Sequence, residues 1–366
     1  MIKYRNILVV IDPSMESQPA LYRAVEVARL QDNATITVFM SIYDFSYEIT
    51  SILSVEERDE MREGVVEQRR AWLENLITPY RDEGLDVSLD VGSGSVASIT
   101  RIASGAYQLG LGDISSLIEF NAQNAGTPRV QAVYQYYNRA PFVIIGRKDR
   151  DITSDFASLK GKKVAAAAVE STRRAWPMVA RRKNLPADLF AWSTTEFSAR
   201  DNVMVRGDVD AATYFHDSAV SLFARLKPEG LSVLRYSDAG VHLYGNAILA
   251  SSQLIAEKPQ VVAAFLRATN RAIVECLANP AAGIAAVRQR EPILDEKLEL
   301  ERWSITAQYV AAADTKSHGL GDFSKRLLEQ QLDSVVQTFA LKTTPSADAL
   351  FNSSMLPARS ARMLKA

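Results

Sequence analysis

Two hydrophobic periods alternate along this 366-residue chain. Ile7–Ile11 is a continuous apolar run closed by Asp12-Pro13, the mark of a strand covered on both faces of a parallel sheet. Leu21, Val25 and Ala28 recur at helical spacing within 18–30, and 35–42 returns to a strand, so the chain opens on a βαβ unit. Ser54 with Glu57 forms a capping box. It starts an amphipathic helix through Met61, Val65, Gln68 and Trp72 that ends near Pro79, and a strand is expected at 85–91.

The alternation then continues. A helix is expected up to Ser104, a strand at 108–112, a helix at 115–124, and strands at 130–137 and 142–147. A short helix at 153–159 stops at Gly161, a buried strand covers 163–169, and a helix from Ser171 closes at Pro186. Strands at 210–213, 231–236 and 244–250 precede a long helix entered at Pro259, a favoured first-turn position, and ended by Pro280. Residues 281–340 are helical by period. From Thr343 on, Pro345, Pro357 and several serines predict a loose tail. The fold class is therefore α/β, with helices on both faces of parallel-rich sheets.

Composition narrows the function. Lys plus Arg is 42 against 43 for Asp plus Glu, so no overall field recruits nucleic acid or an anionic membrane. The balance hides an asymmetry: residues 1–80 carry 8 basic and 13 acidic side chains, residues 81–366 carry 34 and 30. The single Cys276 forbids an intrachain disulfide and a Cys-x-x-Cys pair. Only His216, His242 and His318 are present, without metal-ligand spacing. No Walker loop, Gly-x-Ser-x-Gly elbow or Rossmann glycine motif occurs. The expectation is a non-enzymatic protein with no cofactor and no metal. The N-terminus lacks an apolar leader core, so the chain as written reads as cytoplasmic, and no run reaches the ~18 apolar residues of a membrane span.

Several constellations suit a small ligand. Gly92-Ser93-Gly94-Ser95 falls between a strand and a helix, where the glycines permit close backbone approach. The free N–H groups of Ser95, Val96 and Ala97, with the serine hydroxyls, then form an anion site. The plainer reading is an N-cap turn. Glu170-Ser171-Thr172-Arg173 repeats the design ahead of a second helix. Two helix N-termini facing across a cleft suit an anionic or zwitterionic solute, with Glu170 or Arg173 selecting its other end; the alternative is ordinary capping. Tyr134, Tyr136 and Asn138 alternate on a strand and share a face. That face lines a cleft or packs in a half-buried sheet. Tyr214, Tyr244 and Asn246 are wall candidates with a core reading equally open.

Two families are visible in these motifs. Residues 81–342 resemble the solute-binding proteins of ABC importers for sulfonates, nitrate, taurine and pyrimidine thiamine precursors. The carriers are Asp82–Val87, Gly92–Ser95, Ala103–Tyr107 with Gly112-Asp113, Leu159–Val164, Arg206–Ala211, Tyr244-Gly245-Asn246 and Ile255–Pro259. Residues 1–78 resemble the start of a tandem universal stress protein through Ile7–Pro13, Gln18–Leu21, Ile42–Glu48 and Arg69–Trp72. Asp12 stands where that family's adenine-side aspartate falls. The family's glycine-rich nucleotide signature is not in the chain. The pyrimidine synthases of the first fold use a histidine plus a cysteine-rich motif, which one cysteine does not supply.

Together the resemblances imply a two-lobed, type II periplasmic-binding-protein-like fold opened by a stress-protein βαβα segment over 1–80. Lobe one would comprise 81–148 and 247–342, lobe two 149–246, and the tail 343–366. The implied function is capture of a small anionic or aromatic organic solute (sulfonate, carboxylate or pyrimidine-like) by hinge closure. An ABC permease is the implied partner, and the periplasm is that family's usual compartment. The implied ligand residues are Ser93, Gly94, Ser95, Val96, Asp113, Tyr136, Asn138, Glu170, Ser171, Thr172, Arg173, Tyr214, Tyr244 and Asn246. The alternative is a cytoplasmic stress-type sensor that binds nucleotide, and the oligomeric expectation is a monomer or a stress-protein-type dimer.

Overall fold

The computed structural model describes residues 6–10, 18–29, 35–39, 73, 94–124, 126, 128–290 and 293–364. Asp12, Ser93, the strand expected at 85–91 and, apart from the helical Leu73, the helix expected at 54–79 lie outside them. The chain forms two compact units, Met1–Gly92 with Ala281–Glu296, and Ser93–Pro280 with Lys297–Ala366.

In the first unit, β1 (Asn6–Val10) and β2 (Thr35–Phe39) pair in parallel, Asn6 opposite Thr35 through Val10 opposite Phe39. The helix α1 (Pro19–Arg29) joins them, as a parallel pair requires. Leu21, Ala24, Val25 and Ala28 are buried, the single apolar face that the sequence period places against the strands.

The second unit begins with α2 (Ser95–Ala103), β3 (Leu109–Asp113), α3 (Ile114–Gln123) and β4 (Val130–Gln135). Then come β5 (Phe142–Arg147), β6 (Lys163–Ala166), α4 (Ser171–Lys183), β7 (Ala191–Thr194) and α5 (Arg200–Arg206). They are followed by β8 (Ala211–Phe215), α6 (Val220–Arg225) and β9 (Leu231–Arg235). β10 (Asn246–Ser251) returns to the first lobe and leads into α7 (Ser252–Glu257) and α8 (Pro259–Ala278). From Ala281, α9 (Pro280–Arg290) falls with the first unit. The chain closes with α10 (Glu296–Val310), α11 (Ala313–His318), α12 (Lys325–Thr338), α13 (Ala347–Leu350) and α14 (Arg359–Arg362).

Two mixed sheets result. The first lobe orders its described strands β3-β10-β4, with β10 antiparallel to both neighbours. The second orders β7-β6-β8-β5-β9, with β6 parallel to β7 and β8, and β5 antiparallel to β8 and β9. The antiparallel members have one cause: β5 and β10 have each just crossed from the other lobe and enter their sheet against its prevailing direction. The C-terminal ends of β3, β4, β6 and β8 therefore point to the crossovers, the position where open α/β sheets bind ligands.

Two boundaries differ from the sequence reading. Phe142–Arg147, expected in the first lobe, pairs with β8 and β9 and belongs to the second. The first crossover is thus 136–141, ending at Pro141, which precedes the strand. Residues 343–364 are not a loose tail: Leu350, Phe351 and Met355 are buried, and Phe351 bridges to Ala132 of β4. Arg362 donates to the carbonyls of Pro357, His318 and Leu320 and pairs with Asp322 at 3.1 Å.

The first-lobe sheet is covered on both faces. Val130, Ala132, Ala247 and Leu249 join Ile99, Leu117 and Leu332 of α2, α3 and α12 in one cluster. Tyr134, Ile248 and Ala250 join Leu266 of α8 and Ile305 of α10 in the other. At the crossovers a Cβ on Gly245 would stand 2.9 Å from Tyr137 Cβ and 3.1 Å from Ala140 Cα, so only glycine lets the two segments pack this closely.

Candidate solute site

The candidate site is built where the ends of β3, β10 and β4 approach the start of α4. Asp113 ends β3 and caps α3, accepting a hydrogen bond from Ser116 N at 3.2 Å. Its own N–H donates to Ser95 Oγ at 3.1 Å, so Ser95 fixes the strand end from the first turn of α2. Gly94, at φ 96°, is the N-cap of α2 with no side-chain cap bond, a conformation that favours glycine. Val96 is exposed. Burial outweighs the hydrogen bonds from Ser116 and Ser115 and the field of Arg174, and pushes the Asp113 carboxyl up to about 6.

Across the cleft, α4 starts at Ser171 with Glu170 as its N-cap residue, but Glu170 makes no side-chain cap bond. Its carboxylate instead pairs with Arg200 at 2.7 Å and accepts from Thr213 Oγ1 at 2.9 Å and Ala167 N at 3.2 Å. Arg200 lies between the rings of Phe197 and Tyr214, 4.8 and 4.6 Å from their centroids. Glu170 is therefore occupied inside the lobe, and no side chain caps the first turn of α4.

The two arginines of this helix diverge. Arg173 stacks on Trp192 and donates to Thr194 Oγ1 at 3.1 Å. Arg174 reaches the first lobe, with Nη1 and Nη2 at 2.5 and 2.6 Å from the two carboxylate oxygens of Glu119 on α3, and its guanidinium lies 4.3 Å over the Phe339 ring. Asp113, Ser115, Ser116, Ser171, Arg174 and Phe339 line the narrow space between the helix starts. Ser115, Ser116, Arg174 and Glu119 are the residues that sequence reasoning missed. The serines directly after a strand-ending aspartate carried a capping signal, whereas nothing in the sequence told Arg174 from Arg173.

Four polar groups expected in the site carry buried atoms without a hydrogen-bond partner: Asp113 Oδ2, Asn246 Oδ1, both amide atoms of Asn138, and Thr172 Oγ1. Most buried polar atoms are paired, so a concentration of unpaired ones at three neighbouring strand ends and one helix start is unusual. Tyr136 is half-buried and edge-on to Tyr137, 4.8 Å between centroids. Burial, then the Asp217 charge, pushes its hydroxyl up to about 12.

Two expected wall residues are core residues. Tyr214 is buried in the second lobe and donates to Asp201 Oδ1 at 2.7 Å. Tyr244 is buried in the first, where it donates to Asp314 Oδ2 at 2.8 Å and accepts from Ser324 N at 2.6 Å. Tyr134 likewise turns into the α8 side, donating to Asn270 Oδ1 at 3.0 Å. The alternation at 134–138 fails because β4 ends at Gln135 and its register shifts opposite Ile248/Leu249. The hinge is pinned nearby: Tyr137 and Thr306 both donate to Asp217 Oδ2, at 2.5 and 2.9 Å. Among the described residues no group of three or more His, Cys, Asp or Glu is placed to hold a metal ion. No helix of the described residues is long and apolar enough to cross a membrane.

Two α/β lobes joined by two crossovers, with strand ends gathered at the junction, define a periplasmic-binding-protein-like fold. Residues 80–283, more than half of the chain, match the profile of the NMT1/THI5-like family, and the chain belongs to that family. Residues 3–104 match the universal stress protein family.

Among solved structures, the alkanesulfonate-binding protein SsuA from Xanthomonas axonopodis pv. citri, bound to MOPS, superposes with a TM-score of 0.58 at 13% identity, covering 96% of this chain and 100% of its own. SsuA from Methylobacillus flagellatus gives 0.54 at 13%, covering 97% and 92%. At these identities the likeness is one of fold. Universal stress protein E of Photorhabdus laumondii is 47% identical over 91 residues, 25% of this chain, and that of Escherichia coli K12 is 41% identical over 112 residues, 30% of this chain. The chain spans 29% and 35% of the length of these two relatives.

Proposed function

We propose that this protein captures a small organic solute between its two lobes and closes on it by hinge bending, in the manner of the binding components of ABC importers. The observation that carries the reading is the start of α4. Its first turn has no side-chain cap, and Thr172, fully buried at its second position, has a hydroxyl without a partner. An uncapped helix N-terminus attracts an anionic group through its free N–H groups and the helix dipole. A sulfonate or carboxylate fits that chemistry, and the half-buried Tyr136 suits an aromatic part of the solute. No catalytic step is part of this role, and the compartment is the periplasm where a permease of the ABC class would receive the solute.

Calorimetric titration of the full chain with alkanesulfonates, aromatic carboxylates and aminopyrimidines tests the reading. At least one class should bind, and Thr172→Val should weaken it without lowering stability, since deleting an unpaired buried hydroxyl costs little. Absence of binding by all of them sinks the reading. A second reading, a nucleotide-binding stress sensor, is favoured by the stress-protein relatives of the N-terminal segment. ATP or AMP found by mass spectrometry in the natively purified protein would establish it.

A further inference from the structure

Tyr244 sits inside the second crossover, and its neighbours bond to the first: Leu243 O accepts from Ala140 N at 2.7 Å and Gly245 N donates to Tyr137 O at 3.0 Å. Along an antiparallel pair the backbone groups of successive residues face opposite sides, so the N–H and C=O of Tyr244 turn away from that partner. What meets them is Gln331 of α12, whose side-chain amide accepts from Tyr244 N at 2.8 Å and donates to Tyr244 O at 3.1 Å. Gln331 is fully buried, and this one side chain does for the crossover what a neighbouring strand would.

An amide nitrogen carries two donors, and the second goes to Ser115 Oγ at 3.0 Å. Ser115 is the second residue of α3, next to Asp113, and its N–H and its hydroxyl both favour the charged form of the Asp113 carboxyl. A serine hydroxyl has one proton and two lone pairs. With Gln331 on a lone pair the proton is free for Asp113, and a hydroxyl that accepts one bond donates a stronger one. Arg174, whose charge also acts on Asp113, comes from the other lobe and is held by Glu119.

Resting on the reading of this cleft as the solute site, we infer that Gln331 is a positioning residue: it aims the Ser115 hydroxyl at Asp113 and ties that contact to the backbone of the second crossover. The crossover has to turn when the lobes move. A turn at Tyr244 that loosens its two bonds to Gln331 shifts the amide away from Ser115 and weakens the hold on Asp113. Hinge and site are thus joined through a single buried side chain.

The test follows the Asp113 carboxyl carbon by NMR through a pH titration of the full chain, with no solute present. Ser115→Ala should move its midpoint up by roughly half a pH unit or more, since a hydrogen bond to the charged form is lost. Gln331→Met, which keeps the volume, should move it the same way, and adding it to Ser115→Ala should bring no further change. Gln331→Met should also make the Tyr244 amide exchange roughly tenfold faster, which Ser115→Ala should not. In the wild type the side-chain amide signals of Gln331 should titrate with Asp113, and in Ser115→Ala they should lose that response; this readout stands even where Gln331→Met does not fold. An unmoved midpoint in Gln331→Met, effects of the two substitutions that add, or Gln331 signals that ignore Asp113 overturn the inference. None of these readouts needs a solute, so that failure leaves the solute-binding reading intact, while absence of binding in the calorimetric titration sinks that reading whatever the NMR shows.

Discussion

Glu170 and Arg200 show what a single residue can hide from a sequence. As a motif, Glu170-Ser171-Thr172-Arg173 reads as a ligand-selecting cap; in the folded lobe Glu170 faces inward to Arg200, Thr213 and Ala167. Breaking a buried pair leaves an uncompensated charge, so Arg200→Ala should cost about 3–5 kcal/mol in urea denaturation. The double replacement Glu170→Gln, Arg200→Met should recover most of that loss, because an uncharged pair of similar volume avoids desolvation.

Asp113 makes the second residue-scale prediction, through pH. Its carboxyl is raised from 3.8 to about 6 by burial, so the folded state binds a proton more tightly than the unfolded one. The stability this contributes is fully present below the unfolded value and is lost as pH rises through about 6. A shift of that size corresponds to roughly 3 kcal/mol. Asp113→Asn should therefore gain stability relative to the wild type between pH 4 and pH 7, read as the change in the difference between their urea midpoints. A difference independent of pH would refute the raised value.

At the scale of elements, the long periodic segments were legible and the sparsely anchored ones were not. The apolar positions of α1 and α8 recur often enough to fix a helix face, and both helices lie where the pattern put them. The 343–364 segment has only a few apolar anchors, Leu350, Phe351 and Met355, too few to fix a helical period over its length among prolines and serines that signal a loop. Likewise β5 was recognisable as a strand, but no local pattern tells which side of a crossover a strand joins. Arg173 and Arg174 differ by 100° around α4, and which of them meets the first lobe depends on a helix start that motif reading cannot fix to one residue.

The C-terminal segment is a structural element, and its removal tests that. Deleting residues 343–366 uncovers Ala132 and the buried side of α12, and removes the Arg362 bonds to three carbonyls. Arg362→Ala alone strands those acceptors beside Asp322, whose charge then loses its partner. We expect the truncation to lower the Tm by more than 5 °C, given that about 1 kcal/mol shifts a large domain by roughly 2–4 °C, with Arg362→Ala intermediate. A truncated chain that melts with the wild type would mean the segment only rests on the lobe.

At the scale of the whole second unit, the closure proposed above depends on the contacts that bridge the two lobes. The lobes meet away from the crossovers through the bidentate Arg174–Glu119 pair. Near the crossovers they meet through Asp217, whose carboxylate Tyr137 and Thr306 share and whose carbonyl accepts from Arg302, and through the His216–Tyr309 hydrogen bond. Arg174 is flanked by Phe339 and three-quarters buried on its side chain, so this pair escapes most of the screening that makes surface pairs negligible. On the proposed closure this pair holds the lobes together before a solute adds its own contacts, and a solute would bind more weakly if the competent open state were depleted. Glu119→Gln removes the charge but keeps the shape. Donor and acceptor labels on Gln123 of the first lobe and Arg182 of the second, in a Cys276→Ser background, should report a longer mean distance in that variant. The same label pair should shorten again on adding solute. If the distance is unchanged by the substitution, the pair carries no share of closure, and the contacts around Asp217 and His216 set the angle between the lobes.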